Sequence, residues 1–290
     1  MWDPEFLCRL KHQCTRDLYW LLAAPYPLNP SESYFRLFPM ELISEIVSSH
    51  LGFINKLDRA PDDFISYLAT KPTRRLGIYA ERLLAFFFES SPYIELIAYS
   101  EQIIRSGETI GEIDFIFEWK GNCYHIEFAV KYFLGTADLN DYNQWIGPSG
   151  SDSLGNKLDK VLNRQLPLVE EPEIQYILKG RSCTSYFFLK GKFFLPSGTI
   201  EQPKWVNTSA PMGEYARLSE GTALLERCSF QQLVRPNWLS DITCPLEANV
   251  QKIMNTNMEQ LIVQLGGVHL VQPKLVNKSN FIVLDEWPTI

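Results

Sequence analysis

The chain has no Cys-x-x-Cys pair; its six cysteines, Cys8, Cys14, Cys123, Cys183, Cys228 and Cys244, are scattered. That pattern excludes a zinc-finger framework and a dense disulfide scaffold, and predicts reduced, mostly buried thiols in a cytosolic protein. Histidine is scarce as well. His12, His50, His125 and His269 show no metal-ligand spacing. No apolar run approaches the roughly 20 residues of a membrane span, and the opening MWDPEFLCRLKHQC lacks a signal-peptide pattern. A phosphate-binding glycine loop and a G-x-S-x-G elbow are both missing, so no nucleotide cofactor is expected. Positive charge is not in excess, the net charge being −7, which argues against a broad basic surface coating a nucleic acid but not against a local basic groove. There is no internal repeat, low-complexity tract or clear linker. The expectation is a cytoplasmic globular protein off the membrane, of open oligomeric state.

With 46% hydrophobic and 13% aromatic residues, the 290-residue chain can bury a sizeable core. Its most informative stretch is GETIGEIDFIFEWKGNCYHIEFAVKYFL, residues 107–134. Ile113, Phe115, Phe117 and Trp119 alternate with Glu112, Asp114 and Glu118. Tyr124, Ile126, Phe128 and Val130 alternate with His125, Glu127 and Lys131. Such period-two alternation predicts two strands, each with one apolar and one polar face. Gly121-Asn122 suits a two-residue hairpin turn. Flanked by Lys120 and Cys123, that turn sets Phe117 against Ile126, Glu118 against His125, Asp114 against Ala129 and Glu112 against Lys131. Asp114 then lies diagonal to Glu127 and Lys131, roughly 7–8 Å away along the backbone. Two carboxylates and a lysine on one face suit a divalent metal, which hard oxygen ligands hold and which polarises a phosphate. The same face also suits an ordinary solvated surface.

Around this hairpin, residues 1–70 show helical spacings, including Leu7, Leu10, Cys14 and Leu18 and then a second helix over residues 40–57. The strongest helix pattern runs from Pro72 to Glu89, where Glu81 is placed to project towards the hairpin as a third carboxylate. Residues 93–105 predict a strand. The loop after Leu134 carries an apolar plug, Trp145-Ile146-Gly147-Pro148, and is placed as a lid or substrate wall. A helix over 154–166 ends near Gln165, within reach of a metal-site group. IQYILKG and SYFFLKGKFFLP predict two more strands, with Lys179, Arg181, Lys190 and Lys192 as a basic fringe. A helix near Ser229, an amphipathic helix over 245–265 and a final hairpin over 268–284 complete the pattern. The expected organisation is a helical extension over 1–70, a core over 71–200 and a C-terminal α/β extension over 201–290 packed on that core.

A helix with a glutamate, a β-meander with an aspartate, a strand with Glu127 and Lys131, and then a helix: this order resembles the core of the PD-(D/E)xK nuclease superfamily. The resemblance implies an α/β fold with a mixed central sheet flanked by helices, and Mg²⁺- or Mn²⁺-dependent phosphodiester hydrolysis with nucleic acid as the candidate partner. Asp114 and Glu127 would be the metal ligands and Lys131 would assist the water, with Glu81, Glu112 and Gln165 as secondary candidates. One departure stands out. The superfamily's lysine follows its glutamate by two residues, where this chain has Ala129; Lys131 lies one pleat further, roughly 6–7 Å at strand rise. The alternative is a nuclease-like fold without chemistry, serving as a binding or assembly module. A small-molecule enzyme using the same carboxylates is a third, minor class.

The strings RDLYWLLAAPYPL, RRLGIYAERLLAFFF, TIGEIDFIFEW, YHIEFAVKYFLG, WIGPSGSDSLGNKLDKVLNRQLPL and LKGKFFLP resemble the bacterial family known as domain of unknown function 1853. This resemblance spans nearly the whole chain and implies a bacterial, cytoplasmic protein. It brings no activity with it.

Overall fold

The computed structural model describes residues 2–217, 219–220, 230–232, 238–240, 269–273 and 280–288. Five helices come first: α1 (Pro4–Arg9), α2 (Gln13–Ala23), α3 (Met40–Arg59), α4 (Asp62–Ala69) and α5 (Leu76–Ser90). Three antiparallel strands follow, β1 (Ile94–Arg105), β2 (Glu108–Trp119) and β3 (Asn122–Gly135). A short strand β4 (Trp145–Ile146) pairs with the end of β3. Next come α6 (Leu154–Lys160), a π-turn over Val161–Gln165, a 3₁₀ turn over Leu166–Glu170 and α7 (Pro172–Leu178). The chain then adds β5 (Cys183–Pro196), β6 (Met212–Arg217), β7 (Phe230–Gln232), β8 (His269–Pro273) and β9 (Asn280–Val283). The strands make one mixed sheet in the order β1-β2-β3-β5-β6-β9-β8-β7, parallel from β3 to β9 and antiparallel on both wings.

Two helical layers cover this sheet. Phe115, Phe117, Trp119, Tyr124, Ile126 and Phe128 bury one face of the hairpin against α2, α3 and α5. Each such side chain contributes about 1.5–3 kcal/mol through its removal from water. The opposite face is not solvated. Ala129, Phe133, Phe187 and Leu189 pack under Leu154, Leu158 and Val161 of the α6 region, while Ile113, Ile116 and Cys123 pack under Ile174 and Leu178 of α7. Ile113 therefore leaves the aromatic face on which alternation placed it.

The hairpin register differs from the expected one. The turn is Lys120-Gly121, both left-handed at φ 51° and 76°, and Trp119 pairs with Asn122. A two-residue turn of this hand matches strand twist. Lys120 tolerates it with its side chain over the Trp119 ring and its ammonium on Glu45. Phe117 consequently faces Tyr124, Ile116 faces His125 and Glu118 faces Cys123. The contacts expected from Gly121-Asn122, Glu118 with His125 and Glu112 with Lys131, do not form: Glu118 meets Arg181 at 3.4 Å and Glu112 accepts from Ser100 Oγ at 2.6 Å.

Two further expectations are corrected. IQYILKG is mostly α7, not a strand. Pro172 starts the helix, Ile174 and Leu178 share its buried face, and Lys179 ends it in the left-handed region. Lys190 and Lys192 are buried instead of fringing the sheet. Lys190 Nζ donates to the carbonyls of Leu22 and Ala24 at the C-terminus of α2, where backbone dipoles favour a cation. Next to Ser229, where a helix is expected, the described residues Phe230–Gln232 form strand β7 paired with β8; the helix expected over 245–265 lies outside the described residues. At the β3–β5 junction, Gly191 (φ 134°) lets the strands close up, since a Cβ there would sit 1.7 Å from the Lys131 carbonyl oxygen.

Two acidic residues organise the N-terminal layer. Asp58 of α3 accepts from the backbone N–H groups of Lys11 and His12 and from Thr15 Oγ1, so it caps α2 from outside. Asp17, fully buried on α2, accepts from Gln13 Nε2, Tyr79 Oη and both the backbone N–H and hydroxyl of Ser240.

Candidate functional site

The β2–β3 ladder runs up to the pair Phe115–Ile126. One step further, the same register sets Asp114 opposite Glu127. There the side chains take over from the backbone. Asp114 Oδ2 accepts from the Phe128 N–H at 2.8 Å, and the Glu127 carboxyl takes the Asp114 N–H. β2 continues along β1, where Glu112 faces Gln102, and β3 continues along β5. The strands thus fork at two carboxyls that lie within hydrogen-bond reach of each other.

Each oxygen of Glu127 is held. Oε1 accepts from His125 Nε2 at 3.1 Å and Oε2 from Gln165 Nε2 at 2.5 Å. His125 is fully buried, and burial pushes its pKa down to about 4, so the imidazole is neutral. With Glu127 as acceptor, its proton sits on Nε2, and Nδ1 accepts from Ser185 Oγ at 2.9 Å. The His125–Glu127 contact is therefore a hydrogen bond, not an ion pair. Gln165 lies in the π-turn, an element frequent at functional sites, and its Oε1 accepts from Lys157 Nζ at 3.2 Å. A chain Ser185–His125–Glu127–Gln165–Lys157 results.

Burial, and then the Glu127 charge, push Asp114 up to about 7; the Phe128 N–H and Lys157 oppose this. Burial pushes Glu127 up to about 7, against Lys157 and the Asp114 contacts. Glu81 is raised by burial and by Asp114, with a hydrogen bond to Tyr99 working the other way. Burial lowers Lys157, and the charges of Asp114 and Glu127 support its protonated form. Among the described residues no three His, Cys, Asp or Glu side chains are arranged to hold a metal ion.

The structure thus brings together Asp114, Glu127 and Gln165, with Glu81 facing Asp114 and Glu112 next to it. It sends Lys131 elsewhere. The Lys131 ammonium pairs with Asp152 at the rim of a cleft of about 240 Å³ lined by Arg75, Gly147, Pro148 and Trp238. Trp145 of the expected lid is fully buried against Phe193 and Trp205. A cation beside the carboxylates is Lys157 of α6. His125 was legible as a partner of Glu127, two residues apart on one strand face.

A family model described as Domain of unknown function (DUF1853) matches residues 16–272. The chain belongs to the DUF1853 family. No curated protein and no solved structure matches it. The DUF1853 region contains every residue of the fork. Among its described residues no helix is long and apolar enough to cross a membrane.

Proposed function

We propose that this DUF1853 chain is a metal-dependent phosphodiesterase of PD-(D/E)xK type, a nuclease in the first instance, with Asp114 and Glu127 as ligands for Mg²⁺ or Mn²⁺. The observation that carries this reading is the meeting of these two carboxyls at the fork, both raised to about 7. The donor set fits the group: hard oxygens suit these ions, and a divalent cation would offset the charge that burial makes costly. Mg²⁺ keeps several waters and uses one or two protein carboxylates, so a third protein ligand is not required. When bound, the ion polarises a phosphate and acidifies its water. The chain's own part is positional. His125 and Gln165 fix the Glu127 carboxyl, the Phe128 N–H fixes Asp114, and Lys157 would supply the positive charge of the motif lysine, which Ala129 replaces.

A second reading, a nuclease-like module without chemistry, is favoured by one observation: Glu127 is fully buried and both its oxygens are occupied. Thermal melts with EDTA, Mg²⁺ and Mn²⁺, together with cleavage assays on single- and double-stranded DNA and RNA, separate the two. Asp114→Asn is the cleanest variant because its amide oxygen still accepts from Phe128, whereas Glu127→Gln would set an NH₂ against one of two donors. The enzyme reading expects a metal-dependent rise in Tm and metal-dependent cleavage, the latter falling on the order of 100-fold in Asp114→Asn and in Lys157→Met. Cleavage that survives Asp114→Asn, or wild type indifferent to both metals and inactive on all four substrates, would overturn it.

A further inference from the structure

On the same face of β3, four residues before Glu127, Cys123 stands in register with Cys183 of β5. Adjacent strands lie about 4.8 Å apart, inside the Cα–Cα window of roughly 4.4–6.8 Å that a disulfide spans without backbone movement. The two thiols are hydrogen-bonded to each other. Cys123 lines a cleft of about 480 Å³ together with Gly121, Asn122, Arg181 and Thr184, and Cys183 is half-buried beside it. Arg181, held by Glu95 and Glu118, keeps a cation at this mouth.

We propose that Cys123 and Cys183 form a thiol-oxidation site, a dithiol that a hydroperoxide converts to a cross-strand disulfide. Position sets the roles. Cys123 lines the cleft beside the Arg181 cation, which favours its thiolate, and Cys183 does not line it; Cys123 is the nucleophile. Its thiolate attacks one peroxide oxygen, the O–O bond breaks, and the other oxygen leaves as alcohol or water with the displaced proton, giving a sulfenic acid. The Cys183 sulfur then attacks the Cys123 sulfur, the S–O bond breaks, and water leaves with the Cys183 proton. Two thiols and one hydroperoxide become one disulfide, one alcohol or water, and one water. Cys14 lacks these conditions: burial and the neighbouring Asp17 charge push its pKa up to about 11, and no cationic side chain is among the groups acting on it.

The test uses the folded full chain, titrated with hydrogen peroxide, blocked with N-ethylmaleimide and mapped by mass spectrometry. A Cys123–Cys183 peptide pair lighter by two hydrogens, appearing before Cys14 is modified and lost on reduction with dithiothreitol, is the expected result. Cys183→Ser should stop the reaction at a dimedone-reactive Cys123, and Cys123→Ser should leave Cys183 unoxidised at the same dose. Both cysteines recovered fully maleimide-blocked at a dose that oxidises exposed Cys8, or a wild-type Cys123 sulfenic acid that never passes to a disulfide, would overturn the proposal. The wild-type measurement decides it even if a variant fails to fold.

Discussion

Asp58 and the Asp114–Glu127 pair are buried acids treated in opposite ways. Burial pushes Asp58 up, but the backbone N–H of His12, the Thr15 hydroxyl and the backbone N–H of Lys11 outweigh it, and the carboxyl ends below its ordinary value. At the fork burial outweighs the donors at both carboxyls, and Asp114 also meets the Glu127 charge. Removal from water raises the acids in both places. The difference lies in depth: the fork is more deeply enclosed than Asp58, and its donors do not make up the larger cost. A carboxylate supplied with donors holds the fold together. A pair buried deeply enough to outweigh its donors keeps an affinity for protons that a divalent cation can also use.

The sharpest break of this contrast is Asp58→Ala. It uncaps α2 and leaves buried donors unsatisfied, for an expected loss of about 2–4 kcal/mol in urea unfolding; a neutral result would show that Asp58 is no more structural than the fork. Next in size is the pH response. Asp114 and Glu127 bind protons more tightly folded than unfolded, so their contribution is complete below about pH 4 and is lost as pH rises through about 7. Stability measured by urea melts should fall by about 1–3 kcal/mol over that window from these groups, discounted for the partial exposure of Asp114. Asp58 runs the other way: lowered in the fold, it contributes above its unfolded value and is lost in acid. Asp114→Asn removes one of the two charges, so it should gain about 1 kcal/mol at pH 8 and nothing at pH 4. A loss at pH 8 would mean that the fork is built for stability after all. Mn²⁺ should raise the wild-type Tm more at pH 8 than at pH 5, because it competes with protons. Smallest of all, Lys131→Ala breaks only a partly exposed pair with Asp152 and should change stability by less than about 0.5 kcal/mol.

How much of this was legible follows from local pattern strength. Alternation in β2 and β3 and the 3.6-residue spacing in α3 and α5 marked those elements to within a few residues, since each carries long apolar periodicity. IQYILKG misled because Ile174 and Leu178 satisfy both a strand and an i, i+4 helix, and only Pro172 and the left-handed Lys179 decide between them. The register missed by one turn residue because Lys120, not Asn122, takes positive φ, supported by its contacts to Trp119 and to Glu45 of α3 outside the hairpin. The carboxylates of the site were visible as a pattern. Lys157 was not, because its approach to them depends on how α6 crosses the sheet, which no local spacing encodes. The buried state of Lys190 likewise depends on the end of a helix 168 residues earlier in the chain.

The Asp17–Ser240 contact has a consequence in time. Its partners are separated by 223 residues, so at synthesis rates of about 5–20 residues per second Asp17 leaves the ribosome roughly 10–45 s before Ser240 does. Through that interval two of its donors do not yet exist. Until Ser240 is made, Asp17 at the centre of α2 has only Gln13 and Tyr79 to accept from, half of the donors that hold it in the finished fold.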